Sequence, residues 1–146
     1  MISFHKNYLL MLALILMAMH QSPLASSLVL ADGPVFITNK IPGPLTIHCV
    51  SSAGSDLGIQ TRQFDENFTW NVKLVAGKAS DAYRCDLASG GLRGSFTLFD
   101  GRRDFAIDRC GLRNFLCLWQ VRPDGIYFYH SIGDRHYFEL QYSWPR

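Results

Sequence analysis

Charge is scarce in this sequence of 146 residues: Asp, Glu, Lys and Arg make up 18%, against roughly 25% in an ordinary globular chain. The formal net charge is +2 and dispersed, so the clustered basic stripe of a nucleic-acid-binding domain is missing. No apolar run reaches the roughly 20 residues that span a bilayer; the longest, Tyr8 to Met19, has 12. No segment after residue 31 keeps a 3.6-residue apolar period for three turns, which excludes a coiled coil or helical bundle. Internal repeats, low-complexity stretches and linkers are also missing, which leaves one domain. The sequence contains no G-x-S-x-G, no H-E-x-x-H and no phosphate-cradling glycine loop, and no C-x-x-C pair offers a zinc knuckle. No enzymatic activity, cofactor or metal is expected. Aromatic residues, by contrast, reach 13%, enough apolar surface to offset chain entropy and exclude disorder.

The first 31 residues differ from the rest. A short polar start with His5 and Lys6 precedes the 12-residue apolar run, which ends at His20, Gln21, Ser22 and Pro23. This is the layout of a secretory signal peptide, and the run is too short for a membrane anchor. Ala25-Ser26-Ser27 permits cleavage after Ser27, and Ala31 is a later candidate. The expectation is a leader over 1–27, its boundary within 25–31, and a mature domain over 28–146. That domain keeps all 12 acidic residues and every basic residue except Lys6, a net charge of +1. A secreted, extracellular protein with no stable membrane insertion follows.

Beyond the leader the dominant period is two. Leu45, Ile47 and Cys49 alternate with polar neighbours, as do Phe68, Trp70, Val72 and Leu74, then Tyr83, Cys85 and Leu87, then Cys117, Trp119 and Val121, then Phe138, Leu140, Tyr142 and Trp144. Side chains on a strand point to opposite faces in turn, so each segment reads as a strand with one dry face. Weaker strand patterns cover 35–39, 59–64, 95–99 and 125–129. Pro123-Asp124-Gly125 is the strongest turn signal and predicts a hairpin. Eight or nine short antiparallel strands predict an all-β, two-sheet β-sandwich.

Four cysteines in a small exported domain predict two disulfides. Cys49, Cys85, Cys110 and Cys117 allow three pairings. Cys49, Cys85 and Cys117 fall on dry faces, and Cys110 falls in a long loop over 100–115. A bridge between facing sheets favours Cys49–Cys117, with Cys85–Cys110 stapling the loop. The Cys49 to Cys117 span resembles that of an immunoglobulin domain, but Thr61, Arg62 and Gln63 stand in the tryptophan region and Phe115 in place of the tyrosine, so the likeness is one of shape only.

Asn67-Phe68-Thr69 is an N-glycosylation sequon on the wet face of its strand. Arg102, Arg103 and Asp104, with Asp108, Arg109 and Arg113 beyond, place mixed charge on the long loop, a candidate partner-binding surface. The tryptophans and Tyr127, Phe128 and Tyr129 are read as core and sheet-face packing, with a carbohydrate-stacking platform as the alternative. A two-histidine phosphodiester-cleaving site would need His48 to converge with His130 or His136 beside a cation such as Arg102 or Arg135. The spacing does not impose that convergence, and surface histidines are expected.

The ordered set Val35-x-Ile37-x-Asn39, Leu45-x-Ile47-His48-Cys49-x-Ser51, Asp56-Leu57-Gly58, Phe68-x-Trp70, Tyr83-x-Cys85, Arg103-Asp104, Cys110, Cys117-Leu118-Trp119-Gln120-Val121, Asp124-Gly125-Ile126-Tyr127 and Trp144 resembles the plant self-incompatibility protein homologues. The resemblance implies a small, secreted, cysteine-bridged β-sandwich. It also implies a monomeric ligand for an unidentified cell-surface protein receptor, with structural roles for the cysteines and ligand surfaces on the loops. It supplies no catalytic residue. A secreted defence effector, nuclease-like or targeting glycans or membranes, is the alternative.

Overall fold

The computed structural model describes residues 2–19, 27–111 and 114–146. Helix α1 covers Ile2–Met19. Among the described residues, no helix is long and apolar enough to cross a membrane. Residues 25 and 26 of the expected cleavage window lie outside the described residues.

Among the described residues nine strands follow: β1 (Val29–Asn39), β2 (Leu45–Ser51), β3 (Asp56–Arg62), β4 (Asn67–Val75), β5 (Ala82–Ser89), β6 (Leu92–Asp100), β7 (Cys117–Arg122), β8 (Gly125–Ile132) and β9 (Arg135–Tyr142), with a one-turn helix α2 (Gly101–Asp104) after β6. They form a five-stranded sheet in the order β4-β1-β7-β8-β9 and a four-stranded sheet in the order β3-β2-β5-β6. The period-two pattern is the physical cause. On β4, Phe68, Trp70 and Val72 are buried while Asn67, Thr69, Asn71 and Lys73 are exposed. Val35, Ile37, Leu45, Ile47, Trp119, Val121, Ile126 and Phe128 are fully buried between the sheets.

The all-β sandwich matches the expectation, with one difference in strand direction. β1 and β7 pair parallel, from Val35 with Cys117 to Asn39 with Val121. Alternation reports which face a residue occupies and says nothing of which way the neighbouring strand runs.

The disulfide pairing also differs. The bridges are Cys49–Cys85 and Cys110–Cys117, not Cys49–Cys117 and Cys85–Cys110. Cys49 and Cys85 stand directly opposite each other on neighbouring antiparallel strands of one sheet. A core-facing cysteine therefore needed no partner from the facing sheet. Cys110 closes the end of the β6–β7 loop on the first residue of β7. All four cysteines are bridged.

Two local devices fix the strand ends. Asn39 is fully buried; its Nδ2 donates to the carbonyls of Gly43 (2.8 Å) and Arg62 (3.0 Å) and its Oδ1 accepts from Ile41 N (2.9 Å). One side chain thus replaces the backbone partners that the β1–β2 turn and the end of β3 lack. At the β7–β8 turn, a side chain on Gly125 (φ 157°) would meet Leu140 Cδ1 at 2.4 Å and the Tyr142 carbonyl at 2.5 Å, so only glycine lets β9 close on the turn.

Candidate functional site

The long β6–β7 connection is a braced platform. Asp100 caps α2, its carboxylate accepting from Arg102 N at 2.9 Å. The Arg102 side chain bonds the same carboxylate and, with that backbone N–H, holds the Asp100 carboxyl below the usual carboxylate range against the opposing effect of burial. Asp104, fully buried, is the hub. It accepts from Arg103 Nε (2.7 Å) and Nη2 (2.8 Å), from Arg109 Nε (3.0 Å) and from Asp100 N (2.7 Å). Burial works against the Arg103 cation, but the hydrogen bond and charge of Asp104 outweigh it and hold the guanidinium above its ordinary pKa. Arg103 also donates to Tyr142 Oη and the Thr97 carbonyl.

Arg109 lies with its guanidinium carbon 3.9 Å from the centre of the Phe128 ring. Its Nη2 has no hydrogen-bond partner among the described residues; the electron-rich ring face takes that role. Beneath the loop, Phe99, Phe105 and Phe115 form a triangle with ring centroids 5.5 to 6.4 Å apart. Farther along, the Asp108 carbonyl faces His130 Nδ1 at 3.3 Å, and His130 Nε2 lies 2.9 Å from Glu139 Oε2. Among the described residues the buried Nε2 meets no partner in hydrogen-bond geometry, so the imidazole is bonded to the loop on its Nδ1 side only.

The expected partner-binding residues separate in the structure. The Arg102 side chain is 80% exposed, that of Arg103 is 36% exposed and that of Asp104 is inaccessible. Asp104 cannot touch a partner; it positions the residues that can. Ile107, 93% exposed between exposed Ala106 and Asp108, is the outstanding surface residue of the loop. In the sequence Ile107 ends the apolar triplet Phe105-Ala106-Ile107, and nothing there separates the buried Phe105 from the exposed Ile107. Arg113 lies outside the described residues. A cleft of about 570 Å³ separates the loop from the β8–β9 hairpin, lined in part by Ile107, Asn114, Leu116, Ser131 and Gly133.

The histidines do not meet. His48 lies on the outer face of the four-stranded sheet, its Nε2 2.8 Å from Asp56 Oδ1. The Gly58 N–H, and next His48, hold the Asp56 carboxyl below its ordinary value. His130 points inward from β8 against Phe128, whereas His136 pairs with Ser131 on the opposite face of the same sheet. A two-histidine acid–base pair does not form. Among the described residues no group of three His, Cys, Asp or Glu side chains could hold a metal ion.

Asn67 is exposed on the edge strand β4. Thr38 Oγ1 donates to its Oδ1 at 2.6 Å, which leaves the amide nitrogen, the atom that would carry a glycan, directed away from that bond.

A doubly bridged sandwich holding out one braced loop has the architecture of a recognition scaffold, in which rigid strands position a surface for contact. The family model described as plant self-incompatibility protein S1 matches residues 34–144, and the chain belongs to that family. No curated protein and no solved structure matches the chain.

Proposed function

We propose that this protein is a secreted ligand of the self-incompatibility family that engages a cell-surface protein through its β6–β7 loop. The observation that carries the reading is the bracing of that loop. A fully buried carboxylate, two guanidiniums, an aromatic triangle and a disulfide are spent on fixing a segment whose most exposed side chains include Arg102 and Ile107. Pre-ordering a contact loop lowers the entropy lost on binding. Export supplies the oxidising compartment in which two bridges persist. Cleavage after Ser27 suits the strand: Leu28 O accepts from Ala76 N at 2.9 Å and buried Ala31 pairs with Leu74, so a cut after Ala31 would remove the first rungs of β1.

The test is binding of the oxidised, secreted protein to detergent-solubilised plant plasma-membrane proteins by surface plasmon resonance. Saturable binding that weakens at least tenfold in Arg102→Ala/Ile107→Ser, with the melting temperature unchanged, supports the loop as the contact. Equal affinity in that variant removes the loop assignment. Turnover of RNA or cell-wall glycan that disappears in His48→Ala would instead favour a defence effector.

A further inference from the structure

The outer face of the five-stranded sheet is unusual for a solvent-facing surface. Asn67, Thr38, Gln120 and Tyr127 stand side by side in one register row across β4, β1, β7 and β8. The adjacent row runs from Thr69 through Phe36 to Leu118, and Tyr129 faces Phe138 farther across the same sheet face. Tyr129 and Phe138 pack with centroids 5.2 Å apart, and the Arg122 guanidinium caps Tyr127 at 4.1 Å and lies 5.4 Å from Phe138. Arg122 also donates twice to Gln120 Oε1, which turns the Gln120 amide N–H₂ away from it as a free donor beside Tyr127. A row of amide and hydroxyl groups thus borders an apolar aromatic row.

We propose that this face seats the carbohydrate attached at Asn67, the first sugars of an N-linked glycan running across β1 and β7 to stack on Tyr129, since Arg122 already covers the Tyr127 ring. The proposal rests on the secreted reading above, because export brings the sequon to the glycosylating machinery. A pyranose is amphipathic across its width, with a C–H face for an aromatic ring and hydroxyls at its edge, and the paired rows match that division. The occupant is argued from position: the row of the attachment site leads across Thr38 and Gln120 to β8, three strand spacings or about 14 Å away, where Tyr129 stands on the same face beside Tyr127, within reach of the first few sugars. The Thr38 hydrogen bond fixes the plane of the Asn67 amide, so the glycan leaves the strand in a set direction instead of swinging freely.

The experiment uses the full chain secreted from plant suspension cells, with intact mass before and after Thr69→Ala reporting occupancy. Proton NMR of the glycoprotein is then expected to show nuclear Overhauser contacts from the N-acetylglucosamine protons to the Tyr129 ring, together with upfield-shifted sugar protons. Both signatures disappear in Tyr129→Leu while the glycan mass remains. An occupied Asn67 without such contacts overturns the seating and leaves export intact. A secreted protein lacking the glycan mass overturns it at the modification step. Retention inside the cell overturns the export reading beneath both. Ring perturbation by added free oligosaccharide alone, with the attached glycan silent, places the carbohydrate on another molecule and overturns the proposal.

Discussion

Replacing Asp104 by Asn keeps the shape of the side chain and removes its charge. Four donors converge on that carboxylate, from Arg103 Nε and Nη2, Arg109 Nε and Asp100 N. However the amide is turned, at least one of them then faces an N–H₂ group. Removing one partner of a buried ion pair costs about 3–5 kcal/mol, because the remaining charge stays desolvated. The loss falls unevenly: the Arg103 side chain is 36% exposed and recovers some hydration, while that of Arg109 is 12% exposed and keeps Gln141 and the Phe128 ring. Discounting the Arg103 share for solvent screening gives about 3 kcal/mol, or roughly 12 °C in Tm for a domain of this size. Urea titration of the oxidised protein followed by tryptophan fluorescence, with calorimetry for Tm, measures it. Arg102→Ala, which removes an exposed cation, is the control and is expected to stay within about 0.5 kcal/mol. A loss below about 1 kcal/mol in Asp104→Asn would refute the hub and the view of the loop as braced.

Peptide mapping of the unreduced protein should recover Cys49–Cys85 and Cys110–Cys117; by loop entropy, removing the first pair with alanines costs about 3.8 kcal/mol and the second about 2.4 kcal/mol, and equal losses in denaturant would count against that account. Asn39→Ala strands two carbonyls and an N–H in the interior and should cost about 3 kcal/mol by the same titration; a loss under about 1 kcal/mol would mean that water replaces the amide. Burial alone would raise the Asp81 carboxyl, but bonds from Ser52 Oγ, Ala53 N and Ala82 N outweigh it and hold it below its ordinary value. A depressed carboxyl stabilises fully above its unfolded pKa near about 3.9 and ceases to do so as pH falls through the lower folded value. Thermal melts from pH 7 to 2.5 should therefore show Asp81→Asn losing less Tm on acidification than the parent chain.

Which strands exist was readable because each dry face repeats every second residue. The five strong and four weak patterns correspond to the nine strands described, with shifts of a few residues at β3 and β9 and a start of β1 at Val29 instead of Val35. Partnership was not readable. The parallel β1–β7 ladder and the Cys49–Cys85 rung depend on which strands become neighbours, and alternation carries no such information. At the loop, Arg103 and Asp104 were recognisable as special by their charge, but their role was misread. A carboxylate beside two arginines reads alike whether it faces solvent or a core, and the convergence of Arg103, Arg109 and the Asp100 N–H on Asp104 is visible only in three dimensions. Asn39 stood in the ordered set that carries the family resemblance, but its burial was not readable, because a polar residue ending a strand is ordinarily a turn residue in water.

The parallel ladder between β1 and β7 has a consequence for biosynthesis. A chain emerging from the ribosome can complete the whole four-stranded sheet, with its Cys49–Cys85 bridge, before β7 exists. Until β7 arrives, β1 has β4 on one flank and a bare row of amides on the other, the kind of edge that recruits strands from other molecules. Nascent chains that stall or are truncated before Cys117 should therefore leave a sticky half-sandwich that needs chaperone cover, whereas a few further residues are enough to heal the flank.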